Sequence, residues 1–452
     1  MKIAPLPKLA SESFDHLGQN LAITMRALKD LIPHKTNPRT HSEKQIRQIA
    51  RSIGAFGFTN PVLVDGGNGI LAGHGRVEGA KLLGLTQVPV IELSHLSEVQ
   101  RRAYIIADNK LAENAGWNRD LLALELDYLR DLDMEFDLTI TGFEVPEIDV
   151  IRERDSSAAQ KEDEDVPVLI PEGPLVSKPG DLWRLGRHTL FCGSALDPVS
   201  YARVLGDRKA QMVCTDPPYN VAINGHVGGK GSIQHEEFVM ASGEMSSSEF
   251  TAFLKRAIDN MILYSVDGSI HDIFMDWRHM RELLEAANGY TEFKNLCVWN
   301  KTNGGMGSLY RSKHELAFIF KNGTAPHINN VELGKHGRYR TNVWDYAGIN
   351  TFREDRMDEL QMHPTVKPVA MIKDAILDCS DRHGIILDPF GGSGTALIAA
   401  EMAERTACLI ELEPRYVDCT IERFQKLTEE PAIHVETGKT FTELKTERKS
   451  DV

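Results

Sequence analysis

The chain has no apolar run approaching the length that crosses a bilayer, and Met1 to Ala10 lacks the apolar centre of a secretion signal. A cytoplasmic protein without membrane contact is therefore expected. Cysteine is scarce: Cys192, Cys214, Cys297, Cys379, Cys408 and Cys419 form no C-x-x-C pair and have no matching histidine spacing. That scatter excludes a disulfide framework and argues against zinc, so reduced, mostly buried thiols and no metal are expected. Internal repeats are absent too. Cations are in deficit, for a net charge of −14, which taken alone disfavours nucleic acid because phosphates repel an acidic surface. Distribution qualifies the sum. Acid gathers at Glu162, Asp163, Glu164 and Asp165, and cations gather at Arg311, Lys313, Lys321, Lys335, Arg338, Arg340, Arg353 and Arg356. On charge alone, a binding face and an ordinary solvated surface stay equally open.

What is present is the composition of a soluble globular protein of two or three domains: 452 residues, 42% hydrophobic and 26% charged. Residues 1–35 read as a weakly structured lead-in. Ser42 and Gln45 then pair as a capping box ahead of Ile46, Ile49, Ala50 and Ile53, which share one helical face. Val62–Val64, a glycine-rich turn and Ile70–Ala72 read as two strands, Gly73-His74-Gly75-Arg76 opens a short helix, and Val88–Ile91 is a further strand. Residues 97–135 read as helices broken near Gly116, and the charged stretch from Arg152 to Asp165 reads as a linker. After Pro171, strands and helices alternate, which predicts a mostly parallel sheet with helices on both faces and a ligand beyond the carboxyl ends of its strands.

Two motifs sit at such ends. Asp388-Pro389-Phe390-Gly391-Gly392-Ser393-Gly394-Thr395 joins the strand Ile385–Leu387 to a helix beginning near Thr395. Glycines there let the backbone turn sharply and approach a ligand, while the helix N-terminus favours an anionic group. Glu411, ending the next strand, can accept hydrogen bonds from two ribose hydroxyls. The letters are not G-x-G-x-x-G, G-K-[ST] or G-x-S-x-G, so dinucleotide, Walker and serine-hydrolase loops lose support. Asp216-Pro217-Pro218-Tyr219 follows the strand Gln211–Thr215. Its prolines hold the backbone extended and leave carbonyls free. Asp216 and the Pro217 carbonyl can thus accept both hydrogens of an amino group, and Tyr219 offers a face for a base to stack on. Each motif alone also reads as a structural turn; two at strand ends of one sheet make coincidence a poor explanation.

Asp216 to Tyr219 resembles the D-P-P-Y of the amino-group DNA methyltransferases, and Phe390 to Thr395 resembles their F-x-G-S-G-T loop. The order, with D-P-P-Y first, is that of the permuted β group, which also carries H-P-T-x-K-P, here His363-Pro364-Thr365-Val366-Lys367-Pro368. The run from Trp299 and Lys301 through Tyr310, Arg311, His314 and Glu315 to Phe320 is likewise similar. The resemblance implies a Rossmann-like, S-adenosylmethionine-dependent methyltransferase domain over 171–430, with 221–248 and 303–356 reading the target sequence. It implies that Asp216, Pro217, Pro218 and Tyr219 are catalytic, and that Asp388, Phe390, Gly391, Gly392, Gly394, Thr395 and Glu411 line the cofactor. Thr365 and Lys367 would hold its methionine end. An aspartate that many relatives place after Cys192-Gly193 is Ser194 here, so either Ser194 or Asp197 meets the cofactor's adenine. Arg311, Arg338 and Arg340 are candidate contacts to double-stranded DNA.

Asn37-Pro38-Arg39, the helix Ile46–Phe58 and Gly73-His74-Gly75-Arg76 resemble a small α/β ParB/sulfiredoxin-like domain over residues 30–95, followed by a helical extension over 96–150 and a linker over 151–170. In that fold the G-x-x-R segment cradles a triphosphate, so Gly73, His74, Gly75 and Arg76 are the expected site for CTP or ATP. His74 stands where sulfiredoxin chemistry needs cysteine, which excludes peroxide repair. The expectation overall is a DNA methyltransferase of the restriction-modification kind, acting on adenine N6 because Asp heads the first motif. Cytosine N4 methylation, and a ParB-like nucleotide-dependent DNA-binding protein whose methyltransferase half is inactive, are the alternatives. A homodimer is the oligomer considered.

Overall fold

The computed structural model describes residues 21–34, 37–131, 138–156, 174–221, 243–302, 304, 309–334, 338–347 and 366–450. They fall into two compact units, residues 1–144 and 145–452. None of the described helices is long and apolar enough to cross a membrane.

The first unit is a four-stranded sheet in the order β1-β4-β2-β3, formed by β1 (Ile23–Ala27), β2 (Val62–Val64), β3 (Ile70–Ala72) and β4 (Gln87–Glu92). Ser42 caps α1 (Glu43–Phe56) by accepting from the Gln45 N–H at 3.2 Å. The reciprocal half of a capping box is replaced by a Gln45–His41 side-chain hydrogen bond of 3.0 Å. α2 (His74–Leu82) starts on Gly73, whose φ of 102° is a left-handed turn that a side chain would resist. α3 (Glu98–Glu113) and α4 (Arg119–Asp131) follow. β1 corrects the reading of residues 1–35 as a lead-in. It is a largely exposed edge strand with no buried alternation to betray it, pairing antiparallel with β4 along Ile23–Ala27. Leu28 and Leu31 behind it join Val62, Val64, Val88 and Val90 in the core.

The second unit opens with α5 (Val145–Ser156), which spans residues read as extension and linker. It is pinned by Asp149, whose carboxylate receives Arg382 at 3.0 Å and Arg405 at 3.2 Å, all three buried. The chain then runs through β5 (Leu182–Leu185), β6 (His188–Cys192), α6 (Pro198–Leu205), β7 (Ala210–Thr215), α7 (Ser247–Leu263), β8 (Ser265–Met275), α8 (Met280–Ala286), β9 (Glu292–Asn300), β10 (His314–Lys321) and β11 (Val343–Asp345). It continues with α9 (Val369–Cys379), β12 (Ile385–Asp388), α10 (Thr395–Met402), β13 (Thr406–Glu411), α11 (Pro414–Thr428), β14 (Ala432–His434) and α12 (Phe441–Ser450).

Ten strands make one sheet in the order β11-β9-β10-β8-β7-β12-β13-β6-β5-β14. The five central strands, β8 to β6, are mutually parallel; antiparallel pairing adds β10 and β9 on one flank and β5 and β14 on the other, with β11 parallel to β9 at the edge. Residues alternate between two cores as the pleat requires. Met212, Cys214, Ile386, Ala407 and Leu409 face α9 to α12, whereas Val213, Leu387, Cys408 and Ile410 face α6 to α8. All six cysteines are free thiols and five are buried. From β7 the chain winds outward to β8, and from β12 it winds the other way to β13. The adjacent ends of β7 and β12 therefore form the switch point where a crevice opens in such sheets.

Candidate active site

Asp216 leaves the end of β7 and Phe390 leaves the end of β12, strands in register at Ile386–Met212 and Leu387–Val213. The two loops are tied directly: Thr215 Oγ1 donates to Asp388 Oδ1 at 2.7 Å, and the Phe390 N–H reaches the same oxygen at 3.1 Å. Burial pushes the Asp388 carboxyl up to about 7.

The glycine loop is braced from both sides. Gly391 lies against Leu409 and the Ile410 carbonyl, and its N–H donates to that carbonyl at 2.9 Å. Gly394 caps α10 at φ 81°, with Thr420 of α11 packed where a Cβ would stand. Gly392, at φ 51°, would place a Cβ in ordinary contact, 3.9 Å from the Phe390 carbonyl oxygen. Arg423 of α11 donates to the Ser393 carbonyl at 2.6 Å, and Thr420 Oγ1 donates to the Gly392 carbonyl at 3.1 Å. At the end of β13, Glu411 accepts from the Gly392 N–H at 2.7 Å and from the Glu413 N–H at 2.8 Å. Its burial likewise raises it to about 7. Two buried carboxyls and a glycine thus converge beside the N-terminus of α10, with Thr395 as its first residue. That donor and acceptor set fits the hydroxyls and amino-acid end of S-adenosylmethionine.

Across the switch point Asp216 anchors a polar cluster. Tyr219 Oη donates to Asp216 Oδ1 at 2.5 Å, and Lys367 Nζ donates to Asp216 Oδ2 at 2.5 Å. Both donors also reach Glu315 Oε2, Tyr219 at 3.2 Å and Lys367 at 3.0 Å, while Lys301 pairs with Glu315 Oε1. Lys367 and Glu315 side chains are 5% and 12% exposed, but Asp216 keeps 29%, so the cluster's open face is the aspartate. Burial drives the Asp216 carboxyl up, Lys367 opposes this, and the Glu315 charge adds to it. Burial would raise Glu315 as well, but Lys367 and Lys301 outweigh it and hold that carboxyl low.

The comparisons with known proteins fall on these segments. Residues 210–423 match the DNA methylase family model, residues 120–179 the ParB-methyltransferase HTH domain, and residues 13–109 the ParB N-terminal domain. The chain is an N6/N4-family DNA methyltransferase with a ParB-like N-terminal domain. Type II methyltransferase M2.MboI of Moraxella bovis is 24% identical over 253 residues, 53% of this methyltransferase and 88% of the relative. The ParB-like nuclease domain-containing protein YnaK of Escherichia coli (strain K12) is 46% identical over 86 residues, 19% of this chain and 99% of that one. The crystal structure of M1.HpyAVI aligns with 18% identity and a TM-score of 0.37, covering 52% of this chain and 96% of that chain.

Several expectations for the methyltransferase change. Lys367, expected at the methionine end of the cofactor, is spent on Asp216, Tyr219 and Glu315. Thr365 lies outside the described residues, as do Lys335, Arg353, Arg356, most of 221–248 and part of 303–356. Arg338 and Arg340, expected at DNA, are engaged in an internal ion-pair cluster. Arg338 is 6% exposed and bonds Asp378 at 3.0 Å and Asp374 at 3.0 Å, while Arg340 bonds Asp378 at 2.8 Å and the Tyr346 hydroxyl at 2.7 Å. Arg311 does stay exposed, one guanidinium nitrogen donating to the Gly304 carbonyl. Asp197 is exposed and caps α6 by accepting from the Val199 N–H at 3.0 Å, and Ser194 Oγ accepts from the Leu196 N–H at 3.2 Å.

In the first unit, Gly73, His74, Gly75 and Arg76 do form the N-terminal turn of α2. His74 Nε2 accepts from the His34 N–H at 3.2 Å, and burial with the nearby His34 and His41 keeps that imidazole below its usual pKa. Arg76 donates to the Pro61 carbonyl at 3.3 Å, and its buried Nε has no partner. Three features escaped the sequence reading: the HTH segment, the Arg423–Thr420 brace and the role of Glu315. Polar residues three apart on α11, and a carboxylate directly ahead of the apolar run Leu316–Phe320 of β10, were the available signals.

Proposed function

We propose that this methyltransferase modifies the N6 amine of adenine in double-stranded DNA, using S-adenosylmethionine. The observation that carries the reading is the adjacency of Asp216 to the glycine loop through the Thr215–Asp388 hydrogen bond. When bound, S-adenosylmethionine supplies an electrophilic methyl group on a sulfonium. Asp388, Phe390, Gly391, Gly392, Gly394 and Thr395 would line it, with Glu411 accepting from ribose hydroxyls. Asp216 and the Pro217 carbonyl accept the two amine hydrogens, favouring a pyramidal nitrogen whose lone pair is free, and Pro218 keeps the turn rigid. A paired base cannot reach this crevice, so it is flipped out, with the Tyr219 ring replacing its lost stacking. Arg311 contributes a phosphate contact.

Asp216→Ala is expected to abolish transfer of tritiated methyl groups to unmethylated genomic DNA while calorimetry still records cofactor binding. Transfer at the parent rate would refute the assignment. Mass spectrometry of the digested product distinguishes N6-methyladenine from N4-methylcytosine. For the first unit we propose nucleotide binding at Gly73–Arg76, supported by the left-handed Gly73 and the unpartnered Arg76 Nε. Titration of the full chain with CTP and with ATP, beside an Arg76→Ala control, tests it.

A further inference from the structure

Both oxygens of Asp216 are already occupied, Oδ1 by the Tyr219 hydroxyl and Oδ2 by the Lys367 ammonium. Each oxygen thus has one lone pair taken, so an incoming amine, which must present hydrogens to the carboxylate and shed one proton for each methyl group gained, competes with a hydroxyl and an ammonium for the rest. The alternative acceptor for both occupying donors is the same atom: Glu315 Oε2 lies 3.2 Å from Tyr219 Oη and 3.0 Å from Lys367 Nζ. Glu315 comes from β10 and is held on its other oxygen by Lys301, which follows β9 and rests its ammonium 4.5 Å from the Trp299 ring centre. The geometry is that of two carboxylates sharing two donors, one facing the crevice and the other sealed behind it.

We propose that Glu315 is the positioning residue of the methyl-transfer site, taking over the Tyr219 hydroxyl and the Lys367 ammonium when a base enters and so releasing Asp216 to accept the amine. The inference rests on the reading of Asp216 given above. The exchange itself moves hydrogen bonds only: Tyr219 turns its O–H from Asp216 to Glu315, Lys367 tightens onto Glu315, and Asp216 accepts the amine hydrogens. As the amine nitrogen bonds the methyl carbon, the carbon–sulfur bond would break with its electron pair left on sulfur, and the proton shed by the nitrogen would pass to Asp216. Glu315 keeps its negative charge throughout, as its two lysine partners require. Among the described residues, the charged and titratable groups around Asp216 are Lys367, Tyr219, Glu315, Asp388 and Cys214, and those around Glu315 are Lys301, Lys367, Tyr219 and Asp216.

The direction of the pH effect follows. The Glu315 charge raises the Asp216 carboxyl and the Tyr219 hydrogen bond lowers it. Glu315→Gln should therefore shift the acid limb of the kcat/KM profile to lower pH, and Tyr219→Phe should shift it to higher pH. The experiment uses the full chain, tritiated S-adenosylmethionine and unmethylated genomic DNA. Glu315→Gln is expected to lower kcat by about tenfold, the cost of one misplaced buried hydrogen bond, with cofactor affinity unchanged. In a Tyr219→Phe background, with one donor fewer to move, the same substitution should cost less. A parent-like kcat, or a loss of rate with an unmoved acid limb, overturns the proposal. Should Glu315→Gln fail to fold, Tyr219→Phe alone decides, since an unmoved limb there refutes the shared-donor arrangement. A parent chain that transfers no methyl group overturns the underlying reading of Asp216 together with this one, whereas an active parent with an indifferent Glu315→Gln overturns this one alone.

Discussion

Gly392 and Gly394 lie two positions apart in the same turn, yet substitution should fail for different reasons. A Cβ on Gly394 would stand 2.5 Å from Thr420 Cγ2 at φ 81°, so Gly394→Ala should destabilise the fold by roughly 2 kcal/mol or more. Gly392→Ala meets only an ordinary contact, 3.9 Å from the Phe390 carbonyl oxygen, and costs the left-handed strain of about 1 kcal/mol. It should melt near the parent but bind S-adenosylmethionine weakly. Thermal melts beside calorimetry separate the two, and a Gly392→Ala protein with parent affinity would show that the loop does not line the cofactor. At this scale Asp216, Asp388 and Glu411 were legible because strand ends, prolines and glycines constrain the backbone locally. The partners of Lys367, Arg338 and Arg340 were not legible, because charge alone does not reveal a distant partner: Lys367 meets Asp216 across 151 positions, and Arg338 meets Asp378 across 40.

Among elements, β12 and β13 end in carboxyls that burial holds near pH 7, Asp388 and Glu411. Each accepts more strongly from a ligand as a carboxylate than as the neutral acid. A raised value in the free protein means that protons compete with the ligand below pH 7 and that binding releases them. Affinity for S-adenosylmethionine should therefore weaken by about tenfold or more from pH 8 to pH 6, and Glu411→Gln should flatten that dependence while weakening binding. A dissociation constant indifferent to pH in the parent would contradict this. The central strands and the helices between them were legible from their apolar runs. β1 was not, because an edge strand of five mostly exposed residues carries no alternation. The β5–β6 hairpin and β14 escaped too, being short strands added antiparallel at one edge of the parallel centre.

For the molecule as a whole, the division at Glu144–Val145 places α5 with the methyltransferase sheet. Asp149 there neutralises two arginines buried with it, Arg382 and Arg405. Removing one member of such a cluster costs about 3–5 kcal/mol. Asp149→Ala in the full chain should lower the melting temperature by several degrees, and a methyltransferase fragment starting at Val145 should outlast one starting after Ser156. Equal melting of the two fragments would deny α5 that role. From sequence the charged run after Arg152 was the natural boundary, because the helix ahead of it gives little sign that its acid is buried.

The locked guanidinium groups of Arg338 and Arg340 bear on how this enzyme could be retargeted. A mutagenesis library that randomised every cation in the 303–356 interval would lose most members to collapse of the pairing with Asp374 and Asp378 before any new sequence preference could be selected. Diversity spent instead on Leu309, Tyr310, Arg311 and Tyr339, which lie open on the surface, leaves the scaffold standing.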